Sequence, residues 1–270
     1  MIEISDLLRV NGEPMLGVLP SRENSHPYIV GLAIKNINGE IGHHICTGSL
    51  ISQIHILTAA SCTRPTKNLV AVIRRRGGSR SYQNINFDIV EQETYKNWYH
   101  KKYGKITSGK DSDDLAILKM GKCPRISLSI PVVYSSNKDV LRTHFRVIGW
   151  GNEIGPNGSV NARQTNLHFM DGSVCKARVK KDLPPSVKFG MPLRAMCATV
   201  TAKSSLSDGD FGGPVIQESG KVYGIVLRAV GNSYKSEVIG DWTYLVLVLS
   251  DFKDFIREHT DKVIQTCVYQ

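Results

Sequence analysis

The chain has 270 residues, of which 41% are apolar, and its 34 Lys and Arg against 24 Asp and Glu give a formal net charge of +10. This length and apolar content predict a folded chain with a packed core and exclude a largely disordered one. No stretch approaches the ~18 consecutive apolar residues that a membrane-spanning helix needs, and residues 1–6 lack the basic and long apolar regions of a signal peptide. The positive charge favours an acidic partner, such as nucleic acid, a sulfated polysaccharide or an anionic surface.

Short β-rich runs, separated by turns, dominate the chain up to residue 250. Examples in chain order are residues 28–34, 55–60, 69–74, 115–120, 145–150, 222–227 and 245–249. Turn-forming pairs such as Asn38-Gly39 and Gly77-Gly78 lie between them. Many short strands with such turns indicate a β-sandwich or a β-barrel.

Only the C-terminal end has a helical pattern. Ser250 is placed to cap a helix, and the apolar residues Phe252, Phe255, Ile256 and Val263 then fall roughly on one face. We therefore expect an all-β chain that ends in a single helix over about residues 251–265.

The cysteines leave the cellular compartment open when they are only counted. The six are Cys46, Cys62, Cys123, Cys175, Cys197 and Cys267. An even number is compatible with disulfide bonds, but equally with scattered buried thiols in a cytosolic protein. The sequence contains no CxxC pair of the kind that binds zinc. It therefore indicates no metal site and no cofactor.

Five segments carry motifs in a fixed order. Residues 27–30 read PYIV, residues 46–62 CTGSLISQIHILTAASC, residues 114–119 DLAILK, residues 147–151 VIGWG and residues 209–214 GDFGGP. They resemble PYQV, CGGSLI…LTAAHC, DIALLKL, VxGWG and GDSGGP of the chymotrypsin/trypsin-like serine proteases (peptidase S1). Order and spacing agree over roughly residues 10–265.

This resemblance implies a fold of two six-stranded antiparallel β-barrels followed by a C-terminal helix. The barrels would cover about residues 27–133 and 134–250. The trypsin-like domain would then extend over residues 27–265, after an activation-like N-terminal segment at residues 1–26. In this family the catalytic cleft runs between the two barrels.

Two of the three catalytic positions of the family carry unsuitable side chains. Ser61 occupies the imidazole position and Phe211 the nucleophile position, so only the carboxylate of Asp114 remains. A serine cannot act as a general base near neutral pH, and a benzyl group has no lone pair with which to attack. Loss of nucleophile or base alone removes about 10^6 in rate. We therefore expect an inactive homologue that keeps, at most, the oxyanion donors, which are the backbone N–H groups of Gly209 and Phe211.

The specificity pocket is altered at the corresponding positions. Ser205 stands where trypsin-like members have an acidic residue. The segment Leu227-Arg228-Ala229 replaces SWG, so Arg228 stands in place of a flat aromatic wall. Tyr244, in a segment that aligns poorly, falls where the family has a pocket glycine. These departures predict a pocket that no longer fits a peptidase substrate.

The activation segment also departs from the family pattern. Residues 9–14, RVNGEP, resemble the activation cleavage site but are one residue short. In the family the freed terminal ammonium pairs with the aspartate that is here Asp210, and a buried carboxylate needs such a partner. His44 stands where the family often has a structural histidine near this aspartate. The sequence leaves open whether Val10, Met1 or His44 serves Asp210.

The resemblance further implies three disulfide bonds, Cys46–Cys62, Cys175–Cys197 and Cys123–Cys267. The last would tie the C-terminal helix to the linker between the barrels. The family's pocket disulfide is absent, because Ser207 and Asn232 stand at its positions. Such bridges form in oxidising compartments, so we expect a secreted protein.

Two basic clusters are candidate anion-binding sites. They comprise Arg74, Arg75, Arg76 and Arg80, and Lys176, Arg178, Lys180 and Lys181. The planar fork of arginine matches sulfate and phosphate groups. Each cluster is equally compatible with an ordinary solvated face.

The leading interpretation is a secreted, inactive serine-protease homologue that acts by binding. It would be a cofactor or decoy of a protease cascade, or a binder of a sulfated polysaccharide or another anionic surface; no nucleic acid partner is expected. The alternative is a hydrolase with residual or unconventional activity, and a weaker third hypothesis is a storage or structural protein. The oligomeric state stays open.

Overall fold

The computed structural model describes residues 19–20, 26–63, 68–76, 82–94, 113–124, 132, 139–151, 162–182, 194–201, 204–230 and 242–260. Within these ranges the chain forms two closed antiparallel β-barrels, as the resemblance implied, so the expected fold class is confirmed. A two-residue strand, β1 (Leu19–Pro20), pairs with the outside of the second barrel.

The first barrel has six strands. They are β2 (Ile29–Lys35), β3 (Ile41–Leu50), β4 (His55–Thr58), β5 (Leu69–Arg76), β6 (Tyr82–Thr94) and β7 (Ala116–Met120). The ring closes in the order β2-β3-β4-β7-β6-β5. The almost uninterrupted apolar runs of β2 and β5 are buried, with Val30, Leu32, Val72 and Ile73 at 1% exposure or less. A closed ring leaves no exposed sheet edge, which suits a chain made of short strands.

The second barrel has the same construction. Its strands are β8 (Phe145–Gly149), β9 (Arg163–Phe169), β10 (Ala195–Val200), β11 (Pro214–Gln217), β12 (Val222–Val230) and β13 (Thr243–Val248). The ring closes in the order β8-β9-β10-β13-β12-β11. Strand β9 shows how the sequence orients side chains: Thr165, Leu167 and Phe169 point inwards, whereas Asn166 and His168 are exposed.

Helix α2 (Lys253–Thr260) follows a 3-10 turn at Leu249–Phe252. It lies within the predicted C-terminal helix, and residues 261–265 fall outside the described part of the chain. Phe252 and Ile256 are buried, as their spacing predicted. Among the described residues, no helix is long and apolar enough to span a membrane.

The expectation that only the C-terminal end is helical is wrong. A second helix, α1 (Gly172–Asp182), follows β9. Of its described side chains only Cys175 and Val179, one turn apart, are buried, whereas Val174 is exposed, so its apolar periodicity is too weak to be recognised. The side chain of Asp171 accepts the N–H of Ser173 at 2.8 Å and caps the helix.

Two of the three implied disulfide bonds, Cys46–Cys62 and Cys175–Cys197, are present in the structure. The first joins β3 to the 3-10 turn at Ala60–Thr63, and the second fixes the buried side of α1 to β10. Cys123 is also disulfide-bonded. Its expected partner Cys267 lies outside the described residues, so this pair stays a prediction.

Candidate functional site

The three catalytic positions of the family meet where the first barrel contacts a turn of the second. Ser61 lies in the 3-10 turn that follows β4, and its backbone N–H donates to Oδ1 of Asp114 at 2.6 Å. The Sγ atom of Cys62 is 3.6 Å from the carbonyl oxygen of Phe211. The Asp114 carboxylate therefore lies beside the backbone of Ser61, the residue at the family's imidazole position.

Phe211 ends a tight 3-10 turn formed by Asp208–Asp210. Its side chain is half-buried and packs against the core of the second barrel. Its backbone N–H donates to the carbonyl oxygen of Asp208 at 3.1 Å, and the N–H of Asp210 donates to that of Ser207 at 2.9 Å. The Phe211 N–H is thus already used within the turn.

Asp210 is fully buried, and three donors surround its carboxylate. Oδ1 accepts the N–H of Gly151 at 2.8 Å. Oδ2 accepts the N–H and the hydroxyl of Ser207 at 2.8 and 3.0 Å. Burial raises the pKa of Asp210 to about 6, although these hydrogen bonds act in the opposite direction. The carboxylate therefore joins the turn to the end of β8.

His44 does not bond Asp210, although both side chains bond the same residue. Its Nδ1 donates to the carbonyl oxygen of Gly151 at 2.5 Å, while the N–H of Gly151 serves Asp210. Burial lowers the pKa of His44 to about 4, so the ring is neutral near pH 7. Val10 and Met1, the other partners considered for Asp210, lie outside the described residues.

Thr47 on β3 fixes the turn from the side of the first barrel. Its hydroxyl donates to the carbonyl oxygen of Gly209 at 2.7 Å, and its N–H donates to that of Phe211 at 2.9 Å. Thr58 on β4 in turn donates its hydroxyl to the carbonyl oxygen of Thr47 at 2.9 Å. Thr47 is completely buried, so each of these bonds is shielded from water.

Tyr244 lies next to Leu206 and Ala229, beside the positions predicted to form the specificity pocket. It is completely buried on β13, and its hydroxyl accepts the N–H of Leu206 at 2.9 Å. It belongs to the same apolar cluster as Leu206, Val226 and Ala229. Burial raises the pKa of the Tyr244 phenol, which keeps it protonated. The Tyr244 side chain is thus held in place by both packing and a hydrogen bond.

The remaining pocket positions surround this tyrosine. Ser205, which directly precedes Leu206, is half-buried. Arg228 is also half-buried, whereas its neighbours Leu227 and Ala229 are buried. The register of β12 shifts between Val226 and Arg228, so a β-bulge lies at Leu227. Beyond this bulge β12 pairs with β13 on one side, and no other described strand pairs with its opposite side.

The two basic clusters differ in what the structure describes. Lys176, Lys180 and Lys181 are exposed on α1, and Arg178 is half-buried. In the other cluster, the backbone of Arg74, Arg75 and Arg76 lies in β5, but their side chains and the whole of Arg80 are outside the described part.

Sequence reasoning missed Thr47 and Gly151, and placed Tyr244 only loosely. One signal was visible for Thr47: it replaces the first glycine after cysteine in the CGGSLI-like segment, and so adds a hydroxyl where the family has none. Nothing in the sequence indicates that Gly151 serves both His44 and Asp210, because both of its bonds use backbone atoms.

Comparison with known proteins identifies the family of this chain. The profile of the Trypsin family matches residues 15–243. The chain belongs to the trypsin family. It is 31% identical to a snake venom serine protease homolog of Protobothrops jerdonii, with 88% of this chain and 85% of that protein covered. It is 27% identical to snake venom serine protease 3 of Craspedocephalus gramineus over 79% of this chain and 76% of that one. Trypsin alpha of Drosophila melanogaster is 24% identical over 72% of each chain.

The variant Thr47→Val tests how much the Thr47 hydroxyl contributes to stability. Valine keeps the shape of the side chain but removes the donor to the Gly209 carbonyl. We expect the free energy of unfolding to fall by about 1–3 kcal/mol, the cost of removing a donor from a buried carbonyl group. Urea denaturation measures it. The control is Thr199→Val, because that half-buried hydroxyl makes only a 3.4 Å contact with a neighbouring carbonyl. Equal losses in both variants would contradict the role of Thr47.

Burial of Asp210 gives a second prediction. Because folding raises its pKa from 3.8 to about 6, the folded state binds a proton between these pH values that the unfolded state does not. Protonation of Asp210 therefore stabilises the fold as the pH falls through this window, and this stabilisation is lost as the pH rises above 6. The variant Asp210→Asn has no carboxylate at this position and so lacks this pH-dependent stabilisation. We expect the difference in unfolding free energy, wild type minus variant, to grow by about 1 kcal/mol from pH 7 to pH 5.

Denaturation at both pH values measures this difference. His44 titrates in the opposite sense, because burial lowers its pKa, but it is present in both proteins and its contribution cancels. A difference that does not change with pH would show that Asp210 is ionised in the fold at pH 5.

Proposed function

We propose that this chain is a secreted, catalytically inactive member of the trypsin family that acts by binding. The observation that carries the proposal is the state of Phe211. This residue stands at the nucleophile position, has no group that can attack a carbonyl, and has its backbone N–H bonded to Asp208. Ser61 stands at the position of the base. Nucleophile, base and one oxyanion donor are thus all compromised at one site.

The filled pocket supports the same proposal. Peptidases of this family hold the substrate by a side chain inserted beside the nucleophile, and here Tyr244 occupies that region with a hydrogen bond to Leu206. Binding energy from such a pocket positions the scissile bond. Without such a pocket, the two barrels can still serve as a scaffold for binding at the surface.

A residual hydrolase would need another activated serine, and the Ser52–His55 pair does not meet this requirement. The Ser52 hydroxyl lies 2.8 Å from Nδ1 of His55. However, its oxygen also accepts the N–H groups of Ile54 and His55 at 3.3 and 3.1 Å, which is a local turn. His55 is 2% exposed, and burial lowers its pKa to about 4. A general base with such a pKa is weak at pH 7.

Secretion is supported by the two described disulfide bonds, which form and persist in oxidising compartments. Several relatives are named as snake venom proteins, which agrees with this location.

Two surfaces are candidates for the binding function. Helix α1 exposes Lys176, Lys180 and Lys181, and the second and third of these lie in its last turn. Three ammonium groups on one short helix suit a sulfated polysaccharide, in a chain whose net charge is +10. The second surface is the cleft, where no other described strand pairs with one side of β12 beyond Leu227. An extended segment of a protein partner in a protease cascade could pair with this side of the strand. The chain would then act as a cofactor or decoy of the cascade.

Labelling by a fluorophosphonate probe tests the loss of catalysis. We expect no labelling of the wild type under conditions in which active trypsin is labelled completely. The variant Ser61→His/Phe211→Ser should recover little peptide turnover, because Tyr244 still fills the pocket. Stoichiometric labelling that disappears in Ser52→Ala would instead establish an unconventional hydrolase and overturn the proposal.

Heparin chromatography tests polyanion binding. We expect Lys176/Lys180/Lys181→Ala to elute at clearly lower salt than the wild type, because fewer counterions are released on binding. Lys122/Lys221/Lys253→Ala is the matched control, since it removes the same charge from three exposed lysines that are far apart in the sequence. The Arg74/Arg75/Arg76→Ala variant tests the other cluster. Equal elution of the α1 variant and the control would refute a specific site on α1 and favour a protein partner in the cleft.

A further inference from the structure

Two exposed histidines face each other on the outer wall of the second barrel. His144 immediately precedes β8, and His168 lies on β9. Phe145 pairs with Leu167, so the next register position along these antiparallel strands places His144 opposite His168. The two ring centroids are 6.5 Å apart at an interplanar angle of 77°.

Both imidazoles are accessible from solution. Both side chains are exposed, and neither forms a hydrogen bond with another described residue. The buried histidines behave differently, because His44 and His55 bond Gly151 and Ser52. The ring nitrogens of His144 and His168 are therefore available to a ligand from solution.

We propose that His144 and His168 form a surface site for a borderline transition-metal ion such as Zn²⁺. Imidazole nitrogen is a preferred ligand of Zn²⁺, Cu²⁺ and Ni²⁺. Zn–N bonds of about 2.0–2.1 Å require the two nitrogens to lie within about 4 Å of each other. Directly opposed residues of antiparallel strands have Cβ atoms about 4.5–5.5 Å apart. Rotation of two exposed side chains can therefore bring the rings to one ion.

The surroundings define what kind of site this is. No group of three or more His, Cys, Asp or Glu side chains in the described residues is arranged around a metal, so water would complete the coordination. Arg146, two residues from His144 on β8, carries a positive charge on the same face and pairs with Asn166 of β9. Thr199 on β10 is the register neighbour of His168 and adds no charge.

Sequence reading could not reveal this site, because His144 and His168 lie on different strands and form no motif. Their opposition depends on the β8–β9 register alone.

Calorimetric titration of the chelator-treated full chain with ZnCl₂ tests the proposal. We expect one Zn²⁺ per chain. His144→Asn and His168→Asn should each weaken binding by about 100-fold, since holding a second ligand in place raises affinity by at least this factor. The double variant should be no worse than either single one. Asn166→Ser, an exposed change on the same face of β9, should bind like the wild type.

Absence of Zn²⁺ binding by the wild type would overturn the proposal. So would stoichiometric binding that survives in the double variant, because the ion would then be held by other histidines. Independent, additive losses in the two single variants would likewise contradict a shared ion.

Discussion

The architecture of the site depends on one buried carboxylate. A charge removed from water is tolerated only where donors replace the lost hydration, and three donors from Gly151 and Ser207 converge on Asp210. The bonds from Ser207 tie the residue before the 3-10 turn to Asp210 at its end, and the bond from Gly151 ties Asp210 to the segment that follows β8. The position of Phe211, the direction of its N–H and the contact with the first barrel all follow from that turn.

The first barrel fixes the same turn from the opposite side, and this leaves little space between the two. Gly212 shows how tight the contact is: its φ is +80°, and a Cβ there would lie 2.2 Å from the hydroxyl oxygen of Thr58. A side chain at Gly149 would collide with the carboxylate of Asp210 at 2.1 Å. Gly149 of the VIGWG segment and Gly212 of the GDFGGP segment are thus required for packing, which is a reason for these motif residues that does not depend on catalysis.

The sequence predicted the strands and the positions of Ser61, Asp114 and Phe211, because apolar runs and motif spacing are local signals. It did not predict α1, since that helix is held by the Cys175–Cys197 bond and one buried turn rather than by an apolar face. It also did not predict the hydrogen bond from Leu206 to Tyr244 or the one from Phe211 to Asp208. Motifs specify residue types, whereas the direction of a peptide group and the filling of a pocket are decided by packing in three dimensions.

Amide hydrogen exchange at Phe211 tests the central claim most directly, because that claim concerns one N–H group. If the turn is closed as described, the N–H bonded to Asp208 should exchange as slowly as amides in the barrel strands, such as that of Val226, and should open only with the second barrel. Exchange of the Phe211 amide at the rate of an unprotected peptide, while Val226 stays protected, would contradict the account. It would mean that the N–H points into the cleft and is available to an oxyanion.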